Sequence, residues 1–224
     1  MRDRTFLTLT AVTVLLLIFF LTAFDARQKA QNVLRFNEIL TKFTTGTVKA
    51  APKCILSAVC PPDHFPFKIQ SGVANVIGPK ICFNGKNIMS HVLNNVGPGL
   101  NIVVVNGENG VVEKFGYLNM ISGNSADILA YLKMIKPGMI VLVASFDTAA
   151  TKMTDEIRQI FVEMGSTLIG SVKHRDNWVF AGRAGIKIKS FFEQRAENDK
   201  RTNPFDGWPE MVEVGGCFPR TAGV

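Results

Sequence analysis

The sequence predicts an α+β fold with strands in the majority, carried by residues 54–224 of a 224-residue chain. Three observations point to it. Short apolar runs recur between Gly, Pro and Asn punctuation, the mark of short strands closed by turns. Apolar residues at helical spacing are confined to about three short windows. Four cysteines, three near the start of this region and one near its end, bracket it as one unit.

Phe65 to Ile69 alternates apolar and polar residues and predicts a strand; Val73 to Ile77 and Ile81 to Phe83 read as the next two. Asn84-Gly85 is a tight-turn signal, because both residues tolerate positive φ. Leu100 to Asn106 and Val111 to Leu118 flank Gly107-Glu108-Asn109-Gly110 and predict a hairpin. Ser125 is read as the cap of a helix with Ile128, Leu129, Leu132 and Ile135 on one face, stopped by Pro137-Gly138. Met139 to Phe146 is an unbroken apolar run between turns, so a buried strand. Thr154 caps a second helix. Asp155 and Glu156 lie in its first turn, where the helix dipole favours anions, and Gly165 ends it. Its apolar stripe is Ile157, Ile160, Phe161 and Met164. Trp178 to Ala181 reads as a strand, Phe191 to Glu197 as a third, short helix, and Met211 to Val214 as the last strand, leading to Cys217.

The first 53 residues are of another kind. Thr5 to Phe24 carry no charge, and Arg2 and Arg4 precede them. Twenty helical residues span roughly 30 Å, the apolar thickness of a bilayer. Residues 1–24 therefore read as a signal peptide or a signal anchor, with the rest of the chain lumenal or extracellular. Residues 25–53 hold six basic and two acidic side chains and a narrow stripe of Val33, Phe36, Leu40 and Phe43. They read as a basic stem or propeptide linker. A secreted product and a type II anchor in the Golgi membrane both follow from this layout.

Cys54, Cys60, Cys82 and Cys217 are the only cysteines, and an even count in a secretory compartment predicts two disulfides. The spacing excludes the C-x2-C pattern of zinc and redox centres. Three pairings are open, and each ties the start of the domain to its end. Such a loop exceeds 130 residues and is credited with about 5 kcal/mol in the chain-entropy picture.

Charge narrows the function classes. The net charge is +7, but residues 1–53 hold 8 basic and 3 acidic residues, against 17 and 15 in residues 54–224. The domain is nearly neutral, so nucleic acid is not an expected partner. Catalytic signatures are missing: no H-E-x-x-H, no G-x-S-x-G, no P-loop and no G-x-G-x-x-G. His64, His91 and His174 are scattered, and no metal or cofactor is expected. Gly97-Pro98-Gly99 reads as a turn. One constellation stands out. Asp147 closes the buried strand, and His174-Arg175-Asp176-Asn177-Trp178 opens the next. Asp147, Arg175, Asn177 and Trp178 offer a carboxylate, a guanidinium, an amide and an indole, a set suited to hydroxyl-rich ligands. The competing reading is an Asp147–Arg175 ion pair above a core Trp178.

Several blocks resemble the family of interleukin-like epithelial–mesenchymal transition inducer and pancreatic-derived factor. They are Ser71–Gly85 (SGVANVIGPKICFNG), Asn94–Gly107 (NNVGPGLNIVVVNG), Ala144–Glu156 (ASFDTAATKMTDE), Arg175–Gly182 (RDNWVFAG) and Gly207–Cys217 (GWPEMVEVGGC). The resemblance implies two mostly antiparallel sheets with short helices on one side, enclosing a polar cavity. It implies the pairings Cys54–Cys82 and Cys60–Cys217. It also implies a secreted, non-enzymatic, cytokine- or hormone-like protein that acts through a cell-surface receptor, in metabolic regulation or epithelial plasticity. A related domain in the stem of the O-mannose N-acetylglucosaminyltransferase binds N-acetylglucosamine ends of glycans, and its ligand aspartate and arginine fall on Asp147 and Arg175. Glycans are thus a second expected partner class. This chain departs from the pattern at Pro98, where relatives have arginine, at Thr148, the second carboxylate of Y-D-D, and at Asn124, an acidic position. Ala181 replaces a cysteine that some relatives use between chains, so a monomer is expected.

Overall fold

The computed structural model describes Cys54 and residues 59–221. The segment 5–24 and the stem lie outside the described residues, none of whose helices is long and apolar enough to cross a membrane.

Among the described residues, nine strands form two antiparallel sheets. The first holds β1 (His64–Gln70), β2 (Lys80–Phe83), β3 (Lys86–Ser90) and β9 (Glu213–Pro219), in the order β3-β2-β1-β9. The second holds β4 (Gly99–Val105), β5 (Val112–Asn119), β6 (Ile140–Phe146), β7 (Asn177–Arg183) and β8 (Phe192–Ala196), in the order β5-β4-β6-β7-β8. Two helices, α1 (Ser125–Lys133) and α2 (Asp155–Glu163), both pack on the five-stranded sheet.

Side chains alternate along a strand, and in β4, β6 and β7 both sets are buried. Leu100, Ile102, Val141, Val143, Trp178 and Phe180 meet Ile128 and Leu132 of α1 and Ile157 and Phe161 of α2. The alternate residues Val103, Leu142, Ala144, Val179 and Ala181 meet Phe65, Phe67, Ile69 and Ile81 of the four-stranded sheet. Three layers result, and the middle one explains why β4, β6 and β7 read as unbroken apolar runs. β1 has one face in the core, and its sequence alternates accordingly.

Both disulfides close on the four-stranded sheet. Cys54–Cys82 reaches β2, and Cys60–Cys217 reaches β9. These are the pairings the family resemblance implies.

Four local readings are corrected. Phe191–Glu197 is strand β8, not a helix. Its residues favour helix intrinsically, but Phe192 and Ala196 pack toward the four-stranded sheet, while Glu193 and Arg195 bond to groups on the helix side. That two-residue period is available only at the open edge of β7. The described residues therefore contain two α-helices, with 3-10 turns at His91–Leu93 and Ile169–Ser171. Val73–Ile77 is a tight loop closed by reciprocal bonds between Val73 and Ile77, of 2.8 and 3.2 Å, rather than a strand. The cap of α1 is Asn124, whose side chain accepts from the Ala126 N–H; Ser125 is already helical. The last strand begins at Glu213 and contains Cys217 instead of leading to it. Asn84-Gly85 does make the β2–β3 turn, with φ of 48° and 74°.

Candidate functional site

The site lies where β6 ends and β7 begins. Ladder pairing of these strands stops at Ala144–Val179. Beyond it the Trp178 N–H donates to the Ser145 hydroxyl at 2.8 Å. The two chains then diverge into the loops that carry Asp147 and Arg175.

Both of those residues hold left-handed backbone, with φ of 59° and 63°. Non-glycine residues adopt this region at a cost, and it concentrates at functional sites. Thr148 joins the two loops. Its Oγ1 accepts from the Arg175 N–H at 3.4 Å and hydrogen-bonds His174 Nδ1 at 3.2 Å. Asp147 and Arg175 are both half-buried. No ion pair joins them, and the Asp147 carboxylate has no hydrogen-bond partner among the described residues. The ion-pair reading of this pair is therefore not what the structure contains.

Arg175 is seated from the other side. Its guanidinium lies 4.5 Å from the centre of the Trp208 ring, a cation–π distance. Its Nη1 reaches the Gly207 carbonyl at 3.5 Å. Gly207 has φ of 72°, and a Cβ there would come within 2.9 Å of Nη1. The backbone thus favours glycine, and a larger residue would also push the guanidinium aside.

Asn177 and Trp178 lie beneath this rim. Asn177 is buried and donates to the Glu210 carbonyl at 2.7 Å, which holds the loop bearing Gly207 and Trp208. Trp178 is fully buried, stacked on Phe180 at 5.6 Å and edge-on to Phe161 at 5.4 Å. Its indole N–H donates to Glu193 at 2.9 Å. Neither presents a free face to solvent: Asn177 holds a rim loop from below, and the Trp178 side chain belongs to the core. Asp176 is buried as well. It accepts from the backbone N–H groups of Lys173 and Asn198, each at 2.8 Å, and pairs with Arg195 at 3.1 Å. Those bonds fix the turn that presents Arg175.

Trp208 and Gly207 are the residues that pattern reasoning on the site did not find. They lie about thirty positions from Arg175, and no local spacing links them to it. The G-W-P block was visible only through the family resemblance. Pro98 and Gly99 sit at the start of β4, beside the end of β6, where Gly99 pairs with Phe146. The altered positions Pro98 and Thr148 thus belong to the same end of the sheet.

Chemically the rim offers donors and an acceptor, with the buried Trp208 ring behind the guanidinium. Thr148 and His174 make a hydroxyl–imidazole contact, but the Thr148 hydroxyl is buried and already accepts the Arg175 N–H. No carboxylate orients the His174 ring among the described residues. All four cysteines are in disulfides.

Comparison with known proteins places this architecture. A family model described as Interleukin-like EMT inducer matches residues 98–186, the stretch from Pro98 through β7. Protein FAM3C of Rattus norvegicus is 45% identical over 213 residues, covering 94% of each chain. The chain belongs to the interleukin-like EMT inducer family. Protein FAM3C of Homo sapiens is 44% identical over the same span. Protein FAM3A of Homo sapiens is 44% identical over 192 residues, 83% of this chain and 84% of the relative. Membership makes the protein cytokine-like, and the matched stretch contains Asp147, Thr148, Arg175, Asn177 and Trp178.

Proposed function

We propose that the protein is a secreted, non-enzymatic, cytokine- or hormone-like signal whose Asp147–Arg175 rim contacts a cell-surface receptor. The observation that carries this reading is the rim itself. A carboxylate and a guanidinium are held open in costly backbone, on a frame closed by two disulfides, and no activated nucleophile stands beside them. Disulfides persist in oxidising compartments, which supports export. Intact-mass analysis of medium from expressing cells tests it. The expected product starts near Asp25 and carries both disulfides; a full-length chain found only in membranes would overturn secretion.

A second reading has its own observation. Arg175 stacked on Trp208, with Asp147 on the adjoining loop, suits the hydroxyl and acetamido groups of an N-acetylglucosamine-terminated glycan. Titration calorimetry with such a glycan tests it. Binding that Arg175→Ala leaves unchanged would remove the rim from the account.

A further inference from the structure

The far end of β7 carries a second concave surface. It is a groove of about 260 Å3 between the β7–β8 connection and the end of β9. Its floor is apolar: Met164, Ile186, Phe192 and Phe218. At its edge Ile188 and Phe191 are 71% and 88% exposed, the latter the most exposed aromatic ring among the described residues. β7 spans seven residues, so this groove lies roughly 20 Å from the Asp147–Arg175 rim.

The groove has a cationic border. Arg183 and Lys189 line it, and Lys187 lies between Ile186 and Ile188. The Arg183 guanidinium stands 5.3 Å from the Phe218 ring centre, and its Nη2 donates to the Pro219 carbonyl. Its Nε–H is buried and has no acceptor among the described residues. A buried unsatisfied donor of this kind asks for a partner. Lys187 meets Glu163 at 4.0 Å, a loose surface contact.

These features combine into one ligand chemistry. An apolar trough suits an acyl chain, and a guanidinium with its Nε–H unpaired, beside two lysines, suits an anionic head. We infer that this groove binds a single-chain amphiphile with an anionic head, the class of fatty acids and lysophospholipids. The inference is independent of the receptor-contact reading, because it rests on the opposite end of β7.

The test uses purified secreted protein and laurate as the probe, by titration calorimetry below the micellar range. One laurate per chain is expected. Phe191→Ser and Ile188→Ser, both surface changes, should weaken binding at least tenfold. Arg183→Gln should weaken laurate at least tenfold yet leave neutral monolaurin within about twofold. Arg175→Ala should leave laurate binding unchanged, which separates this result from the rim's. Sedimentation with phosphatidylcholine vesicles, with and without phosphatidylserine, distinguishes a free amphiphile from a bilayer as the source. Vesicle binding together with laurate uptake places the lipid's source in the membrane and keeps the proposal. Vesicle binding without laurate uptake overturns it in favour of surface adsorption. The absence of saturable laurate binding, as expected if another segment or a second copy fills the groove, also overturns it.

Discussion

Asp147 shows most clearly how one residue can be kept against its own stability. Its backbone is left-handed, and its carboxylate makes no bond among the described residues. Glycine would relieve the backbone cost, so Asp147→Gly should raise stability by up to about 1 kcal/mol. Denaturant midpoints check this. A loss of stability would show instead that the carboxylate has a structural partner. Glu193 is the opposite case. It accepts from the Trp178 indole, from the Thr167 and Leu168 N–H groups and from the hydroxyls of Ser166 and Thr167. Glu193→Ala leaves a buried indole N–H unpaired and should cost about 2–4 kcal/mol, read by the same unfolding curve. Pattern alone pointed to Asp147 and Arg175 because a strand end and a polar pentapeptide are local signals. It could not separate Arg175, which faces the rim, from Asp176, Asn177 and Trp178, which turn inward. That choice depends on contacts with Glu210, Arg195 and Glu193, all distant in sequence.

At the scale of elements, legibility followed burial. β4 and β6 are covered on both faces, and their apolar runs predicted them to within a residue or two. α2 was readable from Thr154 to Gly165 because cap, stripe and stop agree. β8 was misread because an edge strand has little apolar content of its own and takes its state from the neighbour it pairs with. The β1–β9 edge carries a pH-dependent term. Gln70 donates to Glu213 at 2.6 Å and Lys68 pairs with it at 3.1 Å, so its carboxyl titrates below its ordinary range, mainly through Gln70. A depressed folded-state pKa gives stability that is present above the unfolded-state value and is lost as pH falls through the folded one. The side chain is nearly half exposed, so the effect should stay below about 1 kcal/mol. Glu213→Gln should flatten the acid side of the stability profile. An unchanged profile would place the acid sensitivity in other groups.

At the scale of the molecule, the four-stranded sheet is held by two bridges of very different reach. Cys60–Cys217 spans 157 residues and Cys54–Cys82 spans 28. Loop entropy gives about 5 kcal/mol for the longer and about 3.6 kcal/mol for the shorter. Replacing Cys60 and Cys217 together by Ser should therefore lower the unfolding midpoint more than replacing Cys54 and Cys82. The reverse order would mean that native-state contacts, not chain entropy, govern the difference. The +7 of the whole chain belongs mostly outside this disulfide-closed region, so we propose that the domain meets its partners through local chemistry rather than through a general basic field. The most direct test of that claim is equilibrium binding of labelled, disulfide-intact protein to live cells, compared with an Asp147→Asn, Arg175→Ala double variant. Saturable binding that unlabelled protein displaces, weakened at least tenfold in the variant, is the predicted result. Binding that never saturates, or that the variant retains in full, would contradict the account.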